Sequence, residues 1–341
     1  MSHMLETMAY VNTTTPWHGL GVPVVPGATV DEISAAASLN WQVERRKVRM
    51  RVSHESGEEI AIPGYCAIVR QHDNQVFQVA SERYHPIQNR DTLDFFRRYC
   101  DAGDMTMETC GALKSGAVVW ALAKLNGAAF TLPGNDTSEG YLLLANSHDG
   151  SMVFQAQTTS IRVVCWNTLS AAVNGESRDR IFRMKHTRKF DASVATDAKA
   201  KVAAALAQMR KMAEYAARLA SVPAPPASVI QYLAQLTEPP AVKQLTTGTP
   251  IYSEGRLVAP AFSLGDLTAP GRDMAMAIRN SPGARLQSAR DTWWGALNGV
   301  TYYADHEAGR EADGRLASAW FGGRAAVKAR ALELALSWAQ Q

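Results

Sequence analysis

Apolar and polar positions alternate, turn and change period twice along residues 64–125, and the same pattern returns at 141–173. In the first stretch Tyr65-Cys-Ala-Ile-Val69 alternates toward the polar turn Gln71-His-Asp-Asn74. The chain returns as Val76-Phe-Gln-Val79 and enters the amphipathic run Asp91-Thr-Leu-Asp-Phe-Phe-Arg-Arg-Tyr99. In the second, Tyr141-Leu-Leu-Leu-Ala145 meets the turn Ser147-His-Asp-Gly150 and returns as Met152-Val-Phe-Gln155. After Ile161-Arg-Val-Val-Cys165, residues 167–173 read as a helix. A period of two passing into a period near 3.6 predicts β-hairpin/helix units and an α+β fold on an antiparallel sheet.

Around these units the chain divides into three regions. Residues 1–40 form a turn-rich N-terminal arm with Pro16, Gly19, Gly21, Pro23, Pro26 and Gly27, followed by a short helix from Thr29. Asp31 and Glu32 in its first turn suit the helix dipole. Residues 41–221 hold the α+β core and a long basic helix over 192–220. Its positions Val202, Leu206, Met209, Ala213, Ala216 and Ala220 are spaced as a packing seam. Pro223-Ala-Pro-Pro226 breaks that helix and opens a smaller, mainly helical region, 222–341. There, helices are expected over 228–236, 285–305 and 323–338, with a loop-rich stretch running to about Pro282.

Composition narrows the class. The 341 residues are 46 % hydrophobic and 20 % charged, ordinary values for a globular protein. No run of 18 apolar residues predicts a membrane span, and residues 1–7 lack the basic and apolar regions of a secretory leader. Cys66, Cys100, Cys110 and Cys165 have no paired spacing and read as reduced thiols. The expected location is the cytoplasm, with no membrane partner.

The net charge of +3 is small, but its distribution is uneven. Residues 161–220 carry twelve Lys/Arg against five Asp/Glu. Arg45, Arg46, Lys47, Arg49 and Arg51 fall within seven positions. On a strand, Arg45, Lys47, Arg49 and Arg51 share a face, so an anion or a set of carboxylates should lie opposite. Glu55, Glu58 and Glu59 could supply those carboxylates in a hairpin; phosphates are the other reading. The second cluster comprises Arg183, Lys185, Arg188 and Lys189, with Phe182 and Phe190 interleaved.

Other chemistry is sparse. His18, His85, His148 and His186 stand in patterned surroundings, yet no His-x-x-x-His or Cys-x-x-Cys spacing supports a metal, and no cofactor is expected. Ser147-His-Asp-Gly-Ser151 contains the residue types of a catalytic trio. Adjacent turn residues cannot place the base between nucleophile and orienter, however, and Asp-Gly signals a type I′ hairpin. There is no Gly-Lys-Ser/Thr phosphate loop and no Gly-x-Gly-x-x-Gly. A pocket around Trp17, His18, His85 and Asn167 is the remaining candidate for small-molecule chemistry.

Several motifs occur together: Thr15-Pro-Trp-His-Gly-Leu-Gly21, Arg83-Tyr-His-Pro-Ile-Gln-Asn89, Asn146-Ser-His-Asp-Gly-Ser151 and Arg162-Val-Val-Cys-Trp-Asn-Thr-Leu169. Thr292-Trp-Trp-Gly-Ala-Leu-Asn-Gly-Val-Thr-Tyr302, Asp305-His306 and Arg315-Leu-Ala-Ser-Ala-Trp-Phe-Gly322 continue them. In these the chain resembles the phage/plasmid-like protein family, whose domain is catalogued as domain of unknown function 932. The resemblance implies a setting in phage, prophage and conjugative-plasmid genomes and brings no established catalytic residues. Hairpins backed by a basic helix, without an ATP site, also resemble in outline the Rad52/Redβ-type annealing proteins.

The expected function is therefore non-catalytic single-stranded DNA binding or annealing in recombination or replication, by a homo-oligomer built as a ring or filament. Arg45, Lys47, Arg49, Arg51, Arg183, Lys185, Arg188 and Lys189 would contact phosphates. Trp17, Tyr84 and Trp166 are read first as core residues, with stacking on bases as the alternative. The rivals are an enzyme or inhibitor acting against host defence through the histidine-lined pocket, and an assembly protein without DNA affinity.

Overall fold

The computed structural model describes residues 7–11, 21–52, 57–103, 105–165, 167–169, 182–187, 198–237, 251–253, 256–258, 263–309 and 312–340. In chain order come β1 (Thr7–Val11), β2 (Val22–Val24), α1 (Val30–Ala36), β3 (Val43–Arg51), β4 (Glu59–Arg70), β5 (Val76–Ser81) and α2 (Asn89–Gly103). Next are β6 (Met105–Leu113), β7 (Val118–Leu125), β8 (Phe130–Leu132), β9 (Asp136–Ser147), β10 (Phe154–Arg162), β11 (Thr168–Leu169) and β12 (Phe182–Met184). The rest comprises α3 (Ala198–Ser221), α4 (Pro226–Thr237), the ribbon β13 (Ile251–Ser253) and β14 (Arg256–Val258), α5 (Ala269–Asn280), α6 (Trp293–Tyr302), α7 (Ala312–Phe321) and α8 (Gly323–Trp338).

The fold is α+β with antiparallel sheets, but the two hairpins occupy different ones. The first joins β3 in a three-stranded sheet ordered β3-β4-β5. The second enters a nine-stranded sheet ordered β11-β10-β9-β7-β6-β1-β2, where β12 pairs with β10 and β8 with β9. Among the described strands only β1 and β2 pair in parallel. Residues 7–11 and 22–24, assigned by sequence to an arm, thus supply strands at one edge of the large sheet. The turn expected as type I′ at Asp149-Gly150 is a longer loop, in which Gly150 takes positive φ (71°) and Asp149 does not.

Both faces of the large sheet are covered. In β7, Val119, Ala121, Ala123 and Leu125 pack with α1, α2 and the first half of α3, through Ile33, Leu93, Phe96 and Met209. The alternate residues Val118, Trp120 and Leu122 pack with Leu316 and Trp320 of α7. That double burial explains why β7 reads as an unbroken apolar run rather than an alternation. A third core joins α3 to the C-terminal helices through Met212, Leu219, Tyr232, Trp293, Leu297 and Leu332. Among the described residues no helix is long and apolar enough to cross a membrane.

Helix boundaries follow their caps. The helix expected from Thr29 is α1, which Thr29 caps through a capping box to Glu32. The helix expected over 285–305 begins only at Trp293, because the Thr292 hydroxyl accepts the Gly295 N–H at 3.2 Å while residues before it turn. The loop expected to reach Pro282 contains α5, capped by Thr268 and carrying Pro270 in its first turn. The helix expected at 167–173 is replaced, where described, by β11, whose Thr168 and Leu169 pair with Ile161 and Ser160. The inward stripe of α3 is Ala205, Met209, Met212, Ala216 and Leu219, partly offset from the expected seam.

Candidate nucleic-acid interface

Among the described residues β3 is an outer strand, with β4 as its sheet partner on one edge. Val43, Cys66 and Ile68 anchor the three-stranded sheet in a small core with Trp41, Phe77, Ala80 and Tyr84. Across the strand pair, Arg45 lies opposite Ile68, Lys47 opposite Cys66, Arg49 opposite Ala61 and Arg51 opposite Glu59. The register shifts between Lys47 and Arg49, where β4 carries extra residues including Pro63 and Gly64. Gly64 adopts φ 80°, a conformation open to glycine. The basic residues therefore share a face pairwise, in two halves separated by the shift.

All of Arg45, Arg46, Lys47, Arg49 and Arg51 are exposed. Arg46 is engaged by Glu44 and donates from Nη1 to Asn74 Oδ1 at 2.7 Å. Arg49 meets Glu59 at 3.8 Å with both side chains in solvent, a pair worth at most about 1 kcal/mol. The carboxylate-hairpin expectation is met weakly at Arg49–Glu59; Glu55 lies outside the described residues. Among the described residues Lys47 and Arg51 form no ion pair.

The second basic cluster reaches the same place. Arg183 and Lys185 are exposed at β12, and Arg188 and Lys189 lie outside the described residues. Between the clusters runs the segment 82–85. Arg45 Nη1 donates to Glu82 O at 2.9 Å, and the His85 N–H donates to His186 O at 2.6 Å, one residue beyond Lys185. Arg83, exposed in that segment, adds a cation that sequence reading missed.

Of the three aromatic residues, Tyr84 is described and takes the core reading. Tyr84 is no base platform: its hydroxyl donates to Ser147 O at 3.0 Å and its ring stacks on His186 at 4.7 Å. Trp17 and Trp166 lie outside the described residues. Tyr65, 53 % exposed on β4, stands beside the exposed Val79 of β5 and offers the open aromatic surface.

Beneath this sheet two histidines are buried. His148 sits between Trp41 and Phe77, at centroid distances of 5.4 and 5.5 Å, with Nε2 2.9 Å from Asn89 Oδ1. Among the described residues its Nδ1 has no hydrogen-bond partner. Burial, aided by His186, pushes the His148 imidazole down to about 3 from the usual 6.5. His186 shifts the same way, again through burial. The native state refuses a proton that the unfolded chain accepts, so stability is lost as pH falls below about 6.5. From His148 alone the loss at pH 5 is about 2 kcal/mol. Urea denaturation at pH 7.5 and 5.0 should show it, and the His148→Gln variant should show a smaller difference between the two pH values.

Of the expected histidine-lined pocket, His85 and Asn167 are described. His85 is half-buried beside β12. Asn167 is buried against α6, where Nδ2 donates to Asn298 O and Thr301 Oγ1, both at 2.9 Å. Trp17 and His18 lie outside the described residues. Ser147 Oγ donates to Met152 O at 2.8 Å, closing a turn rather than facing a base. Among the described residues no group of three His, Cys, Asp or Glu side chains could hold a metal ion.

These features define an α+β protein with a basic edge strand and no gathered catalytic cluster among the described residues. The chain belongs to the family described as Domain of unknown function (DUF932), whose model matches residues 76–320. The match runs from β5 into α7 and includes the β12 cluster, whereas β3 and β4 precede it. No curated protein matches the chain, and no solved structure matches it.

Proposed function

We propose that this protein is a non-catalytic, single-stranded DNA-binding protein acting as a homo-oligomer in recombination or replication in a phage or plasmid setting. One observation carries the reading: two basic clusters more than 130 residues apart in sequence border the same short segment, 82–85, through Arg45 and His186. Cations gathered on one surface neutralise phosphates and release condensed counterions, giving affinity that weakens as salt rises. The exposed ring of Tyr65, which shares with Val79 the face of the strand pair opposite to that of Arg45 and Lys47, offers an apolar platform for an unpaired base where a strand passes around the sheet edge, worth about 1–3 kcal/mol. A duplex hides its base faces and gains nothing from that platform.

The test is fluorescence anisotropy with a 5′-labelled oligothymidine, titrated across a salt series. Replacing Arg45, Lys47, Arg49 and Arg51 together by Ser should weaken binding at least tenfold. It should also reduce the slope of log K against log salt by about 3, since each phosphate contact on a single strand contributes about 0.7. All four side chains are exposed, so the fold should survive, as circular dichroism would verify. Unchanged affinity and slope in a folded variant would remove the proposal. Mass photometry of the same samples reads the subunit count.

A further inference from the structure

A pocket of about 430 Å³ opens at one end of β10, lined by Val164, Arg279, Asn280, Ser281, Arg285 and Leu286 among others. It lies between the turn after β10 and the loop that follows α5. Its base is rigid. The buried Arg162 guanidinium binds both Asp136 oxygens at 2.7 Å and reaches Gly283 O at 3.2 Å, which ties the loop to the sheet. Asp136 Oδ2 also accepts from Ser288 Oγ at 2.6 Å and Trp294 Nε1 at 2.9 Å. Successive turns, Ala284 N–H to Ser281 O and Leu286 N–H to Gly283 O, complete the loop.

The rim is unlike the base. Arg279 and Arg285 are exposed, and among the described residues neither has a hydrogen-bond or ion-pair partner. Asn280 and Ser281 bring an amide and a hydroxyl between them. Val164, 39 % exposed, and Leu286 form an apolar wall. Unpaired guanidinium forks suit the oxygens of a phosphoryl group, and the volume falls in the range of small-ligand sites.

The geometry points to a binding site for a small organic phosphate, with the phosphoryl group held by Arg279 and Arg285 and the organic part against Val164 and Leu286. The site is separate from the β3 surface and does not depend on the DNA-binding proposal. Gly283 marks how closely it is built: at φ 78° its Cβ position lies 2.5 Å from Val164 Cγ1, so a side chain there would close the floor.

The experiment is isothermal titration calorimetry of the full chain with adenosine 5′-monophosphate and, separately, adenosine. The monophosphate should bind at least tenfold more tightly than adenosine. The Arg279→Gln/Arg285→Gln variant, changed only at exposed side chains, should weaken the monophosphate at least tenfold and leave its melting temperature near that of the parent. The four-residue β3 variant should bind the monophosphate as the parent does. Equal binding of adenosine, full binding by the double Gln variant, or loss of binding in the β3 variant would each overturn the assignment. So would the absence of any monophosphate binding.

Discussion

Replacing Arg162 by Met will destabilise the protein by about 3–5 kcal/mol, because it leaves a carboxylate buried without its counter-charge. Arg162 and Asp136 are 3 % and 0 % exposed at the side chain and share two hydrogen bonds of 2.7 Å. Burial opposes the Asp136 charge, yet the bidentate Arg162, with Ser288 and Trp294, holds its carboxyl below the usual range. The pair joins β9 to β10, and its outer bonds reach the loop at Gly283 and the helix α6 at Trp294. Its loss should therefore loosen the C-terminal helices from the sheet as well as expose a local defect. Urea denaturation of Arg162→Met, Asp136→Leu and the double variant forms a cycle. The double variant should cost less than the two single losses added together, because neither charge is then stranded. A loss below 1 kcal/mol for Arg162→Met would mean that Ser288 and Trp294 suffice to hold the carboxylate.

Local chemistry was legible in the sequence, and long-range partnership was not. The hairpin β4–β5 and the helix α2 follow from alternation and an amphipathic period, and α1 from Thr29 and Glu32. β7 was opaque for a physical reason: Val118, Trp120 and Leu122 meet α7, which lies nearly 200 residues later, so no local pattern marks the second buried face. α5 was hidden by Pro270 and Gly271, which read as loop formers although a cap at Thr268 makes proline welcome in the first turn. The offset in α3 has a similar origin, since a run rich in alanine contains several stripes and only the neighbours choose among them. At the candidate interface, each basic cluster could be counted from sequence. Their meeting at 82–85 depends on His186 docking against His85, a pairing set by tertiary structure. Tyr65 went unnoticed because an aromatic residue in an alternating strand reads as core, and its exposure comes from the free face of the three-stranded sheet.

The same logic of stranded charge applies on the other side of the large sheet, where Lys328 should be as costly to lose. Its side chain is 4 % exposed, and Nζ donates to Asp305 Oδ1 at 2.6 Å, Thr168 O at 2.7 Å and Thr168 Oγ1 at 2.8 Å. All three ammonium protons are thereby used, and α8 is pinned to β11. Lys328→Met should cost about 3–5 kcal/mol at pH 7, since Asp305 keeps only the Thr168 donors. Asp305→Asn should behave differently with pH, which separates an electrostatic fault from a packing one. Burial already lowers the Lys328 ammonium below its usual range, with Asp305 opposing the shift. Without that carboxylate the folded chain sheds the proton at lower pH, while the unfolded chain keeps it up to about 10.5. Between those values the unfolded state binds more protons, so stability rises with pH. Urea denaturation at pH 7 and pH 9 should therefore show Asp305→Asn regaining part of its loss at pH 9, and Lys328→Met regaining none. Equal losses at both pH values for Asp305→Asn would show that Lys328 stays charged without its partner, with water in the adjoining cavity of about 20 Å³ supporting it.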